Sequence, residues 1–177
     1  MKKLLLVLFF VPLISFGQTS AEYFNNGLEK MEKRDYKGAI TDYNKSIELD
    51  SNYADAYINR GIAKNKLRNH SGAIADFTKA IELEPNNTYP YITRGWSKNI
   101  LKDYYGAIVD FNKAIKLNPN DDDAYYNRGW SKHSLKDYSG AIADYTKAIE
   151  INPNYASAYM NRGVAKNDLE DYYRAIA

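Results

Sequence analysis

Small, apolar and aromatic residues return along this chain at a distance that no single helix or strand explains. Glycines stand at positions 27, 61, 95, 129 and 163, each 34 residues after the last. Twelve residues beyond each comes an alanine, at 39, 73, 107, 141 and 175. Four further on an aromatic ring follows in the first four copies: Tyr43, Phe77, Phe111 and Tyr145. Three beyond these lie Ser46, Ala80, Ala114 and Ala148. A strict period of this length is the mark of a stacked-repeat architecture, and it has to be read before any local motif.

Within each period the apolar positions adopt helical spacing twice. In 122–155, Asp121-Asp122-Asp123 offers side-chain acceptors and negative charge for a helix N-terminus. The spacing predicts a first helix over 124–135, a turn at Lys136-Asp137-Tyr138, and a second helix over 139–151. That second helix carries Ala141, Ile142, Tyr145, Ala148 and Ile149 on one face. Asn152-Pro153 ends it, since the residue before a proline is driven out of the helical region; Pro85 and Pro119 close earlier units in the same way. Glycine inside a helix costs about 1 kcal/mol relative to alanine. A recurring one therefore needs a reason, and close approach of the partner helix supplies it. Gly38, Gly72, Gly106 and Gly140 form a second series, and Gly17 completes the ten. None is left for a loop that cradles phosphate.

The combined pattern runs small-x2-aromatic-x2-Arg-Gly (Ala54, Tyr57, Arg60, Gly61), then Ala-x3-Phe/Tyr-x2-Ala and Pro (Ala73, Phe77, Ala80, Pro85). It closely resembles the tetratricopeptide repeat family over essentially all of 20–177. In that register the units are 20–53, 54–87, 88–121, 122–155 and an incomplete 156–177, about 4.6 copies. Ser51 stands where the family has Pro, and His70 replaces the usual Tyr of the turn. The related pentatricopeptide repeat, which reads RNA, is one residue longer, and nothing here drifts by one. The resemblance implies an all-α fold: antiparallel helix pairs stacked into a right-handed superhelical solenoid, with stability summed over neighbours. First helices would line a concave face and second helices a convex one.

The resemblance also implies where a partner would sit, on the first helices at repeat positions 2, 5, 6, 9, 12 and 13. Position 5 holds Ile58, Ile92, Tyr126 and Met160; position 6 holds Asn59, Asn127 and Asn161. Position 9 holds Ile62, Trp96 and Trp130, and position 12 holds Asn65, Asn99 and His133. Such a face would suit an extended peptide: Asn amides both donate to and accept from its backbone, while Trp and Tyr anchor its side chains. Large residues at positions 5 and 9 also pack neighbouring first helices together. Trp96 and Trp130, one repeat apart, are the leading candidates for contact. Chaperone-binding members grip a C-terminal carboxylate with Lys at position 5 and Asn at position 9, then Lys and Arg two repeats on. Phe24 and Leu28, then Tyr89 and Thr93, occupy those places here; one repeat later they are Ile58, Ile62, Asp123 and Asn127. The carboxylate clamp is absent.

Candidate chemistry dissolves against the repeat. Arg128, Lys132, His133, Ser134, Asp137 and Asp144 crowd one short run like an active site. Yet His133 aligns with Met31, Asn65, Asn99 and Asn167, and Ser134 with Glu32, Lys66, Ile100 and Asp168. Only Asp137 recurs, as Asp35, Asp103 and Asp171, in the turn. His70 and His133 are the only histidines and Cys is absent, so thiolate sites are excluded and a His-based metal site is not expected. Asp121 to Asp123 lack the Gly and terminal Glu of a calcium loop. Neither enzyme activity nor a cofactor is expected. Lys64, Lys98, Lys132 and Lys166, with Lys45, Lys79, Lys113 and Lys147, form stripes that alternate with acids and read as a solvated mixed-charge face. Arg60, Arg94 and Arg128 are expected to pair with Asp76, Asp110 and Asp144, at ~0.2–1 kcal/mol for each exposed pair.

Charge changes the picture only once the N-terminus is read. Lys2 and Lys3 precede an apolar run, Leu4 to Phe16, and Ser15-Phe16-Gly17 places small residues before a cut at Gln18. This reads as a secretory signal peptide over 1–17, with the repeat domain over 18–177; the run is short of the ~20 residues that span a bilayer. Removing it takes two of 24 basic residues and no acid, leaving 22 against 22 acidic, a formal net charge of zero. Nucleic acid is not an expected partner, nor is a membrane after cleavage. The expected function is a non-catalytic protein–protein interaction scaffold, periplasmic or secreted, whose concave groove binds a protein or peptide. Two alternatives stand beside it: a self-associating or structural fragment of a larger repeat protein, since the chain stops without a polar cap, and a glycan-binding module on the Trp/Tyr/Asn groove.

Overall fold

The computed structural model describes residues 18–176, of which 171–176 are described as helix backbone alone. The signal peptide expected at 1–17 lies outside the described residues. Those residues form nine helices and no strand. Four antiparallel pairs come first: α1 (Ser20–Glu32) with α2 (Tyr36–Leu49), α3 (Ala54–Lys66) with α4 (His70–Leu83), α5 (Thr88–Ile100) with α6 (Tyr104–Leu117), and α7 (Asp122–Ser134) with α8 (Tyr138–Ile151). A single helix, α9 (Ala156–Ile176), follows. The two helices expected in the fourth unit are present, each beginning a residue or two early. Each helix packs on the next in sequence, and first helices also touch the next first helix, while second helices do not touch one another. The array therefore curves towards its first helices.

A single device turns the chain inside each pair. Arg34, Arg68, Lys102 and Lys136 adopt φ between 59° and 64°, a left-handed conformation usually left to Gly. In the first pair, Asp35 N–H donates to the Lys30 carbonyl (2.8 Å) and Arg34 N–H to the Met31 carbonyl (3.0 Å). This 6→1, 5→2 pattern closes the helix end, and a basic residue there also suits the negative end of the helix dipole. The next residue then caps the second helix: Asp35, Asn69, Asp103 and Asp137 accept from Gly38, Gly72, Gly106 and Gly140 N–H, all at 3.0 Å. A Cβ on any of these glycines would collide with the capping side chain. The recurring turn Asp is thus an N-cap, and the second glycine series makes room for it.

The first glycine series has the reason expected of it. A Cβ on Gly61, Gly95 or Gly129 would lie 2.7, 2.8 or 2.9 Å from Phe77, Phe111 or Tyr145, the rings of the partner helices. Those rings and Ala39, Ala73, Ala107 and Ala141 are fully buried or nearly so.

The Arg–Asp ladder exists, but it is not exposed. Each Arg grips its Asp with two hydrogen bonds, at 3.0 and 2.7 Å for Arg60–Asp76, 3.0 and 2.6 Å for Arg94–Asp110, and 2.9 and 2.6 Å for Arg128–Asp144. Asp110 is only 1% exposed. Lys64, Lys98 and Lys132 bring a second cation to the same carboxylates at 2.7–2.8 Å. Lys64, Lys98 and Lys132 are therefore part of the interior bonding and not the solvated face expected of them, whereas Lys45, Lys79 and Lys147 are exposed beside Glu48, Glu82 and Glu150. The third Arg nitrogen reaches the preceding second helix, at Asn44 (2.7 Å), Thr78 (3.0 Å) and Asn112 (2.6 Å). One side chain thus fastens three helices.

The fifth unit departs from expectation. The position of the turn is helical, and α9 runs on without a break through 171–176. Among the described residues nothing lies within 4 Å of a Cβ on Gly163.

Candidate functional site

Side chains from the first helices project into a groove of three adjoining cavities. The largest, about 390 Å³, is lined by Ile62, Asn65 and Lys66 of α3, Tyr89, Ile92, Thr93 and Trp96 of α5, Asp123, Tyr126 and Asn127 of α7, and Tyr155. The next, about 150 Å³, shares Trp96, Tyr126 and Asn127 with it and adds Asn99, Ile100 and Trp130. The last, about 120 Å³, lies among Trp130, His133, Tyr145, Asn161 and Val164. Trp96 is 41% exposed, a large apolar surface left in water at the junction of two cavities. The structure thus gathers Ile62, Asn65, Ile92, Trp96, Asn99, Tyr126, Asn127, Trp130, His133 and Asn161 along one face.

Three residues expected on that face do something else. Ile58 is 5% exposed and packs with Tyr57 and Ala80 of its own repeat, so it belongs to the core. Asn59 donates to the Asp55 carbonyl of its own helix (2.9 Å) and lines none of the cavities. Met160 is exposed on α9 outside them.

Aromatic residues at the start of the second helices hold the indoles in place. His70 meets Trp96 edge-on at 5.8 Å, and Tyr104 meets Trp130 at the same distance. Tyr126 stacks at a tilt on Tyr155, 4.8 Å between centroids. Its hydroxyl accepts from Asn161 Nδ2 (3.0 Å). The Tyr155 hydroxyl donates to Asp123 Oδ1 at 2.7 Å. Burial first, and then the Asp123 carboxylate, raises the Tyr155 pKa well above the ordinary tyrosine value, so this hydroxyl keeps its proton and remains a donor.

The amides are more committed than an open Asn-rich face implies. Asn65 Nδ2 donates to Ser97 Oγ (2.8 Å) and its carbonyl oxygen meets His70 Nδ1 (3.0 Å). Asn99 Oδ1 accepts from Ser131 Oγ (2.8 Å). These bonds tie successive first helices together and are structural. Asn99 differs in one respect: among the described residues its other amide atom, itself buried, has no partner. Tyr104, which stands where the preceding repeat has His70, is turned onto Trp130.

The residues that first resembled a catalytic set are dispersed. Ser134 Oγ donates to the Trp130 carbonyl of its own helix (3.0 Å), Asp137 is an N-cap, and His133 Nε2 meets Asp168 Oδ2 at 2.7 Å. Among the described residues no three His, Asp or Glu side chains gather as metal ligands. None of the described helices is long and apolar enough to cross a membrane.

Sequence reasoning did not single out Lys66, Tyr89, Ile100, Asp123, Tyr145 and Tyr155 as lining residues. Lys66, Tyr89, Ile100 and Asp123 sit at repeat positions 2 and 13, which the family pattern already marked. Tyr155 comes from the linker before α9, and only its ring contact with Tyr126 places it.

Comparison with known proteins agrees with this geometry. One tetratricopeptide repeat model matches 54–87 and 122–155, and a second TPR repeat model matches 27–67 and 99–133. No curated protein matches the chain. Among solved structures, MamA is 27% identical, with a TM-score of 0.81 over 89% of this chain and 86% of its own. The first TPR domain of Spaghetti (RPAP3), bound to the HSP90 peptide SRMEEVD, is 27% identical, with a TM-score of 0.66 over 68% and 96%. YrrB, described as a TPR protein with an unusual peptide-binding site, is 24% identical with a TM-score of 0.74 over 85% and 78%, a likeness of fold. With helix pairs packed in series and repeat models matching in both halves, the chain is a member of the tetratricopeptide repeat family.

Proposed function

We propose that this protein is a non-catalytic scaffold that holds an extended peptide or protein segment along its first helices, in the bacterial envelope after export. The observation that carries the reading is the continuous groove with Trp96 and Trp130 on neighbouring helices. Half-exposed indoles braced by packing are the residues that dominate recognition surfaces, because they bury much area and lose little rotamer freedom. Peptide binding by the RPAP3 domain supports the class of ligand. The particular ligand differs from a carboxylate-clamped tail, because Phe24, Leu28, Ile58 and Ile62 replace the clamp residues. Export rests on the apolar run Leu4 to Phe16, and N-terminal sequencing of protein recovered from cells tests it: a mature chain beginning at Gln18 supports export, and retention of Met1 contradicts it.

The groove reading is tested by selecting a random displayed peptide library on the wild type and on Trp96→Ala/Trp130→Ala. Wild type is expected to enrich a peptide family that the double variant, still helical by circular dichroism, does not retain. Equal enrichment by both would place binding elsewhere.

A further inference from the structure

The largest cavity has a composition that selects the charge of its occupant. Rings of Tyr89, Trp96, Tyr126 and Tyr155 surround it, and a carboxylate, Asp123, stands in its wall. Tyr155 occupies Asp123 Oδ1, and no Lys or Arg of the described residues pairs with Asp123. The other acids of that helix start add to the field without a cation of their own: Asp121 caps Ala124 N–H (2.9 Å) and Asp122 accepts from Asn152 Nδ2 (2.7 Å). Aromatic faces carry negative quadrupole potential, so rings beside a free carboxylate oxygen favour a cation. Lys66, two repeats away on α3, is the only cation in the lining.

We propose that the groove binds a basic peptide segment: a Lys or Arg side chain enters the cavity of Trp96, Tyr126 and Tyr155 against Asp123. This rests on the peptide-groove reading above and assigns it a charge opposite to that of an acidic tail.

The test is a displayed library of random hexapeptides selected on wild type and Asp123→Asn, each checked for native helicity. Asp123→Asn keeps an oxygen for Tyr155 and removes only the charge. In the wild-type pool Lys and Arg are expected at one position about threefold to thirtyfold above Gln, the range of a cation–π contact from exposed to desolvated. Asp123→Asn should lose that preference while keeping the apolar preferences beside it. A wild-type pool without Lys or Arg enrichment, or an unchanged preference in Asp123→Asn, overturns the proposal and leaves the peptide groove standing. If no peptide is enriched at all, both fall. Mass doubling in light scattering that Trp96→Ala abolishes would seat a second copy in the groove and also overturn it.

Discussion

Gly129 and Gly163 hold the same place in consecutive repeats, yet substitution at the two should have opposite signs. Alanine at 129 forces Tyr145 aside from 2.9 Å, and overpacking of a filled core costs about 1–3 kcal/mol. Alanine at 163 meets nothing within 4 Å among the described residues and gains helix propensity of up to about 1 kcal/mol. Thermal melts should place Gly129→Ala below wild type and Gly163→Ala at or above it. A second contrast lies at the buried rings. Tyr43 keeps a hydroxyl without a partner where later repeats have Phe77 and Phe111. Burial, and then the charge of Asp42, moves its pKa from 10.0 to about 12. The folded state therefore resists ionisation that the unfolded chain undergoes near pH 10, and stability falls as pH rises through that window. Tyr43→Phe should raise stability at neutral pH, by about 1 kcal/mol, and shrink the loss between pH 10 and 12 in denaturant titrations. A variant weaker than wild type at both ends would contradict this.

Helix pairs are fastened by charge in a way their sequence only half discloses. The period revealed that Arg and Asp recur together, and their pairing across the hairpin followed. Burial was not legible, because alternating Lys and Asp look the same on a solvated face as in a ladder that first and second helices close over. Only packing shows that Lys98 joins Arg94 on one carboxylate. The energetic consequence is large. Asp110→Ala leaves two partly buried cations unpaired, and breaking such a network costs about 3–5 kcal/mol, well above an exposed pair. Chemical denaturation should show a loss of that order for Asp110→Ala, and Asp110→Ala/Arg94→Ala should recover part of it. A loss below about 1 kcal/mol would return the ladder to the surface. The left-handed turns were hidden for a related reason: Arg34, Arg68, Lys102 and Lys136 carry no glycine to announce them, and the hydrogen bonds around each turn hold the conformation.

For the whole molecule, the repeat made the architecture, and which side chains share the first-helix face, readable from one sequence. Both are consequences of a fixed period. What could not be read is individual to this chain: Ile58 sinking into the core, Asn65 and Asn99 spent on bonds between first helices, and Tyr155 entering the groove from a linker. The two Asn bonds join different repeats, and Ile58 and Tyr155 are placed by packing inside their own repeats; a periodic pattern specifies neither. The central claim is that ligand binds along the first helices at Trp96 and Trp130. It is tested most directly by amide chemical-shift mapping of the labelled protein titrated with a library-selected peptide. The account predicts perturbations concentrated on α3, α5 and α7, with indole N–H signals of both Trp96 and Trp130 moving together. Residues around Tyr105 and Val109, exposed on α6, should stay still. Perturbations centred on α4, α6 and α8 with unmoved indoles would contradict it.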